Sequence, residues 1–155
     1  METTIAFTRM WLSGVFDRYP DLKLLIAHSG GTIPFLAGRI DSCVQHERHF
    51  PKHQGTKTRG PQRSLDTVLR ENIYLDAVVY SETSVRAAVE KVGVKKVLFG
   101  TDHPFFPPLD EGEEKWKSVL SNFDAVSGGG NKPWVDGILG ENAVELLGLE
   151  VAEGG

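Results

Sequence analysis

Cysteine is almost absent from these 155 residues. The single thiol, Cys43, excludes an intrachain disulfide framework and a cysteine-built zinc knuckle, and it suits a reducing compartment, where it is expected as a small core residue. Long apolar runs are missing too. No stretch approaches the roughly 18 residues that a membrane span needs. The amino terminus meets Glu2 at once, and Arg9 breaks the apolar stretch behind it, so the expectation is a soluble, cytoplasmic chain with no membrane partner. A positive excess is the third absence. Seventeen Lys and Arg against 21 Asp and Glu leave a formal charge of −4, which gives no global field to hold a phosphate backbone and argues against a nucleic-acid partner. What is present, 40% hydrophobic, 25% charged and 9% aromatic residues, is the composition of a chain that buries a core.

The apolar period changes along the chain. Over residues 3–18, Ile5, Trp11, Leu12, Val15 and Phe16 predict one helical stripe that stops before Tyr19-Pro20, because a residue preceding proline avoids the α region. The run at 22–27 is almost continuously apolar and predicts a strand covered on both faces. Ile33, Leu36, Ala37, Ile40 and Val44 mark a second helix, and residues 50–63, with two prolines and two glycines, read as a polar loop. A helical turn from Ser64 leads to a second strand at 73–80. A helix on Val85, Ala88, Val89 and Val92, capped by Ser81 or Ser84, precedes a third strand at 97–100. A proline-rich loop at 101–113 follows, then a helix on Trp116, Val119, Leu120 and Phe123. After a glycine break at 127–131, the last helix spans 134–147 and turns Ile138, Leu139, Ala143, Leu146 and Leu147 inward. The order α-β-α-β-α-β-α-α implies parallel βαβ units, and three strands leave two raw parallel edges. A complete (β/α)8 barrel takes about 250 residues, so this length suits one ordinary domain or about half a barrel.

In such sheets reactive groups collect at the carboxyl ends of the strands. His28 follows the first strand and precedes the pair Gly30-Gly31, whose N–H groups could attract an anion; the imidazole could be a general base or metal ligand, or could merely bond a neighbouring backbone group. Asp102 follows the third strand directly, as a cation ligand, an orienter of a base, or a turn aspartate. Arg39 offers a bidentate fork to a carboxylate, though on helix geometry alone a solvated or structural role is favoured. His46, His49 and His53 have a spacing that imitates a metal site, but no acidic or cysteine partner is fixed nearby and Pro51 intervenes, which favours a solvated helix end. His103, beside Asp102, could support the site or wall a pocket.

Taken together, Ala27-His28-Ser29-Gly30-Gly31-Thr32-Ile33-Pro34-Phe35, Gly38-Arg39-Ile40, Val97-Leu98-Phe99-Gly100-Thr101-Asp102-His103-Pro104-Phe105 and Leu139-Gly140-Glu141-Asn142-Ala143 resemble the amidohydrolase superfamily, in its branch of metal-dependent decarboxylases acting on aminocarboxymuconate semialdehyde and related acids. The resemblance implies an α/β fold that is part of a distorted (β/α)8 barrel, roughly strands 6 to 8 with flanking helices, so that residues 1–155 form the carboxyl-terminal part of a barrel domain. It implies one divalent metal, usually zinc, held by Asp102; His28 as the histidine that activates metal-bound water; and Arg39 as the arginine that binds a small carboxylate substrate, serving the neighbouring subunit in some dimeric relatives. It leaves room for a homodimer, and the uncovered sheet edges lead to an expectation of marginal stability or self-association. The family's paired His-x-His ligands and a further histidine ligand have no counterpart here: histidines 28, 46, 49, 53 and 103 form no His-x-His. Metal binding by this chain alone is therefore expected to be weak or absent, and its own catalysis is left open. The family activity implied is decarboxylation of an unsaturated or aromatic acid. The alternatives are hydrolysis of a lactone or amide, and a non-catalytic half-barrel remnant.

Overall fold

Three short apolar strands set the frame. In the computed structural model, which describes residues 1–47, 60–105, 116–129 and 132–150, β1 (Leu24–Ile26), β2 (Ile73–Asp76) and β3 (Val97–Leu98) lie side by side in that order, all parallel. Leu24, Leu25 and Ile26 pair with Ile73, Tyr74 and Leu75, while Leu75 and Asp76 pair with Val97 and Leu98. The Ala77 N–H still donates to the Leu98 carbonyl at 2.8 Å, so pairing reaches just past the end of β2. Parallel strands need crossovers, and helices supply them. α3 (Ile33–Glu47) and α4 (Leu65–Asn72) join β1 to β2, and α5 (Glu82–Val92) joins β2 to β3.

The amino-terminal stripe forms two helices, not one: α1 (Glu2–Leu12) and α2 (Val15–Arg18) break at Ser13-Gly14. The buried face of α1 is Thr4, Phe7 and Trp11, so Ile5 and Leu12, expected inside, are exposed. Phe7, Trp11 and Phe16 join Ile73, Leu75 and Val97 in one core. The Trp11 indole N–H donates to the Arg63 carbonyl at 3.0 Å, and the N–H groups of Gln62 and Arg63 donate to the Asp17 carboxylate at 2.9 and 3.0 Å. The end of the expected 50–63 loop is therefore pinned to α1 and α2, while residues 48–59 lie outside the described residues.

β2 is four residues long instead of eight because side chains take over the backbone donors beyond Asp76. Asp76 Oδ1 accepts the Val78 N–H at 3.1 Å, and Asn122 Oδ1 accepts those of Val79 and Tyr80 at 3.1 and 3.0 Å. Asn122 belongs to α6 (Lys117–Ser127), which follows residues 106–115, outside the described residues. The last helix starts with a π turn, Gly137–Glu141, and continues as α7 (Asn142–Leu147). It packs on β3 through Ile138, whose carbonyl accepts the Phe99 N–H at 2.8 Å, and through Asn142, whose amide donates to the Val94 and Val97 carbonyls at 2.8 and 2.7 Å.

The two sheet edges therefore differ from the expected pair of raw edges. The β3 side is partly met by the last helix. Among the described residues no strand pairs with the outer edge of β1, and Leu25 is 59% exposed where coverage on both faces was expected. Cys43 is exposed, which corrects its placement in the core: it sits on the outer face of α3, where Ala37 and Ile33 face inward. Leu147 is also exposed, because α7 ends at Gly148 one turn beyond its contact with β3. Among the described residues no helix is long and apolar enough to cross a membrane.

Candidate active site

The carboxyl ends of the three strands carry all four non-glycine residues with left-handed backbone among the described residues: His28 (φ 55), Ser29 (φ 48), Tyr80 (φ 53) and Asp102 (φ 56). An L-residue in this region costs roughly 1–2 kcal/mol, so such residues persist only where the surroundings over-determine them. The first pair is fixed by β2. Asp76 Oδ1 accepts the Ser29 N–H at 3.0 Å, and the Ser29 hydroxyl donates to the Asp76 carbonyl at 2.5 Å. A tight turn over His28–Gly30 results, and it carries the chain into Gly31 at φ +67. A Cβ on Gly31 would stand 2.8 Å from Thr4 Oγ1, so glycine is required there on two counts.

That turn corrects one sequence expectation. The N–H of Gly30 donates to the Ala27 carbonyl at 3.1 Å and that of Gly31 to the His28 carbonyl at 2.8 Å. Both glycine donors are spent inside the turn, so they do not form an anion cradle.

His28 and Asp102 come together. His28 Nε2 stands 3.8 Å from Asp102 Oδ1, with the imidazole 57% and the carboxylate 23% exposed. The separation is too long for a hydrogen bond. The imidazole forms no hydrogen bond to backbone among the described residues, and the Asp102 carboxylate caps no helix; only its carbonyl takes part in a turn, accepting the Phe105 N–H at 2.8 Å. The backbone-bonded reading of His28 therefore finds no support among the described residues, whereas Asp102 does open a turn, and its turn reading stands beside the functional one.

The second carboxylate oxygen is also engaged. Tyr80 Oη donates to Asp102 Oδ2 at 3.3 Å. Burial, then the Asp102 charge and the hydrogen bond to it, push the Tyr80 phenol above its ordinary value, so it stays protonated and donating. Sequence reasoning missed Tyr80, which closes an apolar run with nothing local to announce its left-handed turn. It also missed Asn122, fully buried, whose amide donates to the Gly100 carbonyl at 2.6 Å while its oxygen holds Val79 and Tyr80. One side chain thereby ties the ends of β2 and β3 together.

The other candidates lie apart. Arg39 is exposed on α3 and makes no hydrogen bond or ion pair with any described residue. His103 is exposed and packs on the Trp116 ring, with centroids 4.2 Å apart; with Thr101, Val119 and Leu120 they line an open, mostly apolar cleft of about 490 Å³ beside Asp102. His46 is exposed near the end of α3, and His49 and His53 lie outside the described residues.

A carboxylate and an imidazole are suitable donors for a divalent ion, but a catalytic zinc generally takes three protein ligands. No group of three or more His, Cys, Asp or Glu placed to hold a metal occurs among the described residues. His28 and Asp102 fit such an ion as part of a donor set, not as a whole one.

Parallel strands with crossover helices, and a histidine and an aspartate meeting at their carboxyl ends, define the class, and the chain belongs to the amidohydrolase family, whose model matches residues 1–149. Several relatives are named decarboxylases, and one from Sphingobium is named a 2-keto-4-carboxy-3-hexenedioate hydratase, 28% identical over 99 residues, covering 64% of this chain and 25% of that protein. A 2-amino-3-carboxymuconate-6-semialdehyde decarboxylase of Dictyostelium discoideum is 32% identical over 154 residues, covering 96% of this chain and 37% of that protein. The crystal structure of Metarhizium anisopliae IDCase in apo form aligns with a TM-score of 0.81 and 45% identity over 95% of this chain and 39% of its own. A dihydroxybenzoic acid decarboxylase from Polaromonas, with bound manganese and the inhibitor 2-nitroresorcinol, aligns with a TM-score of 0.71 and 25% identity over 97% of this chain and 41% of its own. The chain thus spans about two fifths of the length of the relatives it matches.

Proposed function

We propose that this chain is the carboxyl-terminal part of a metal-dependent decarboxylase, supplying strands 6 to 8 and the flanking helices of a (β/α)8 barrel that acts in the cytoplasm on a small unsaturated or aromatic carboxylic acid. The observation that carries this reading is the meeting of His28 and Asp102 at one end of a parallel sheet, 3.8 Å apart, in a chain of the amidohydrolase family. The decarboxylase names of the relatives support the reaction class.

Asp102 and His28 are the residues that would hold or face a divalent metal, zinc by family resemblance, alongside ligands from outside the described residues. When bound, such an ion polarises a coordinated oxygen and lowers the pKa of bound water. In this reading His28 takes or relays a proton at Nε2, the ring atom nearest Asp102; its exposure leaves that edge open to substrate. Arg39 holds the substrate carboxylate. Its exposed guanidinium, free of described partners, suits the neighbouring subunit of a dimer better than its own His28. The glycine pair positions His28 through the turn and contributes no anion contact. The cleft along Thr101, His103, Trp116 and Leu120 is of a size and polarity to take the flat apolar body of an aromatic acid.

The test joins this chain to the amino-terminal segment of the Metarhizium relative and assays carbon dioxide release from aromatic and unsaturated acids beside ring opening of lactones. Decarboxylation that disappears in Asp102→Ala and His28→Ala is expected. Lactone opening alone would replace this reading with hydrolysis, and an intact fold with neither activity would favour a remnant.

A further inference from the structure

We propose that Tyr80 is a positioning residue for Asp102, holding the carboxylate through Oδ2 so that Oδ1 is presented toward His28. The inference rests on the reading of Asp102 and His28 as one site. Two observations carry it. The Tyr80 hydroxyl reaches Oδ2 at 3.3 Å while His28 Nε2 lies 3.8 Å from Oδ1, so the two oxygens have different neighbours. An aspartate side chain otherwise samples several staggered wells about Cα–Cβ, and a donor on one oxygen selects the well that keeps the carboxylate between Tyr80 and His28. Next, Tyr80 takes a left-handed backbone at φ 53, which a bulky side chain rarely adopts, and it does so where buried Asn122 receives its N–H at 3.0 Å. The same Asn122 amide donates to the Gly100 carbonyl, two residues before Asp102, so the backbones that carry the phenol and the carboxylate share one clamp. Strain kept at the residue whose hydroxyl meets Asp102 is strain that aims a group.

Tyr80→Phe keeps the ring and removes only the donor. The first measurement, on the metal-free chain, is the Asp102 side-chain conformer from three-bond couplings to its Cγ. One conformer is expected in the wild type and conformer averaging in Tyr80→Phe, with the thermal midpoint unchanged. The second is manganese(II) titration followed by residue-specific line broadening at Asp102 and His28. Half-saturation is expected to need about tenfold more manganese in Tyr80→Phe, the lower end of what loss of an outer hydrogen bond to a ligand costs. Asp102→Ala is the reciprocal variant, in which the Tyr80 Cζ resonance is expected to move to that of a free phenol. An Asp102 conformer and a manganese midpoint both unchanged by Tyr80→Phe would overturn the inference and leave the site reading standing. Broadening that never centres on Asp102 and is indifferent to Asp102→Ala would overturn the site reading instead, and the couplings alone would then decide the role of Tyr80. If Tyr80→Phe fails to fold, the wild-type conformer and the Tyr80 Cζ shift in Asp102→Ala still decide it: an averaged conformer, or an unmoved resonance, overturns the inference.

Discussion

Asn122 is the side chain on which the geometry of the site most depends. Its three hydrogen bonds, to Val79, Tyr80 and Gly100, are made at 0% exposure, so truncation leaves two backbone donors and one acceptor without partners. Asn122→Ala is expected to lower unfolding free energy by about 2–4 kcal/mol in urea titration, and a loss below about 1 kcal/mol would contradict the clamp. Gly31→Ala introduces a Cβ 2.8 Å from Thr4 Oγ1 at φ +67 and is expected to cost about 1–3 kcal/mol by the same measurement. At this scale placement was legible where a polar residue follows directly on an apolar strand, as with His28 and Asp102 at one end of the sheet. It was not legible where a contact spans the chain: Asn122 reaches 42 residues back to Tyr80 and 22 back to Gly100, and no local pattern encodes either partner. The glycine pair shows the opposite error. Its donors looked free in sequence, yet the turn that makes glycine necessary also consumes them.

The elements were legible in order but not in extent. Apolar period located each helix and strand, whereas strand ends were decided by side-chain acceptors such as Asp76 and Asn122, which capture backbone donors that the next ladder bond would have used. The break between α1 and α2, and the face α1 buries, follow from packing of Phe7, Trp11 and Phe16 on the sheet, which periodicity alone does not rank. α4 has its own cap: Ser64 Oγ accepts the Thr67 N–H at 3.1 Å, and Ser64→Ala is expected to cost about 1 kcal/mol in thermal unfolding. The same helix carries a pH-dependent contact with α5. Lys91, through its hydrogen bond at 3.0 Å, holds the Asp66 carboxyl below its ordinary value against the opposing effect of burial, and Arg70 adds to the lowering. A depressed carboxylate contributes stability that is present above its unfolded value, near 4, and is lost as pH falls through the lower folded value. The pair is about half exposed on the Asp66 side, so the contribution is small. Lys91→Met is expected to flatten the acid limb of the stability profile slightly and to leave stability near neutral pH almost unchanged. An acid limb as steep as that of the wild type would contradict the assignment.

The molecule as a whole is a three-stranded parallel sheet covered unevenly. The last helix meets β3, but among the described residues the outer edge of β1 is unpaired beside an exposed Leu25, with Ile5 of α1 also exposed. An open strand edge is a template for another chain, so concentration-dependent self-association is expected in sedimentation equilibrium and should weaken in Leu25→Lys. A monomer with a cooperative unfolding transition at high temperature would contradict this. The α/β class and the parallel order were legible because buried parallel strands read as continuous apolar runs. The inequality of the edges was not, since it depends on where Ile138 and Asn142 dock. The central claim, that Asp102 and His28 are part of a metal site which this chain does not complete, is tested most directly by titrating zinc into the wild type and Asp102→Ala while following both residues by NMR, then dialysing. The account predicts that zinc perturbs His28 and Asp102 only when in large excess, that Asp102→Ala abolishes the response, and that dialysis removes the metal. A response at neither residue would contradict the site itself, and one zinc per chain retained through dialysis by the wild type but not the variant would contradict its incompleteness.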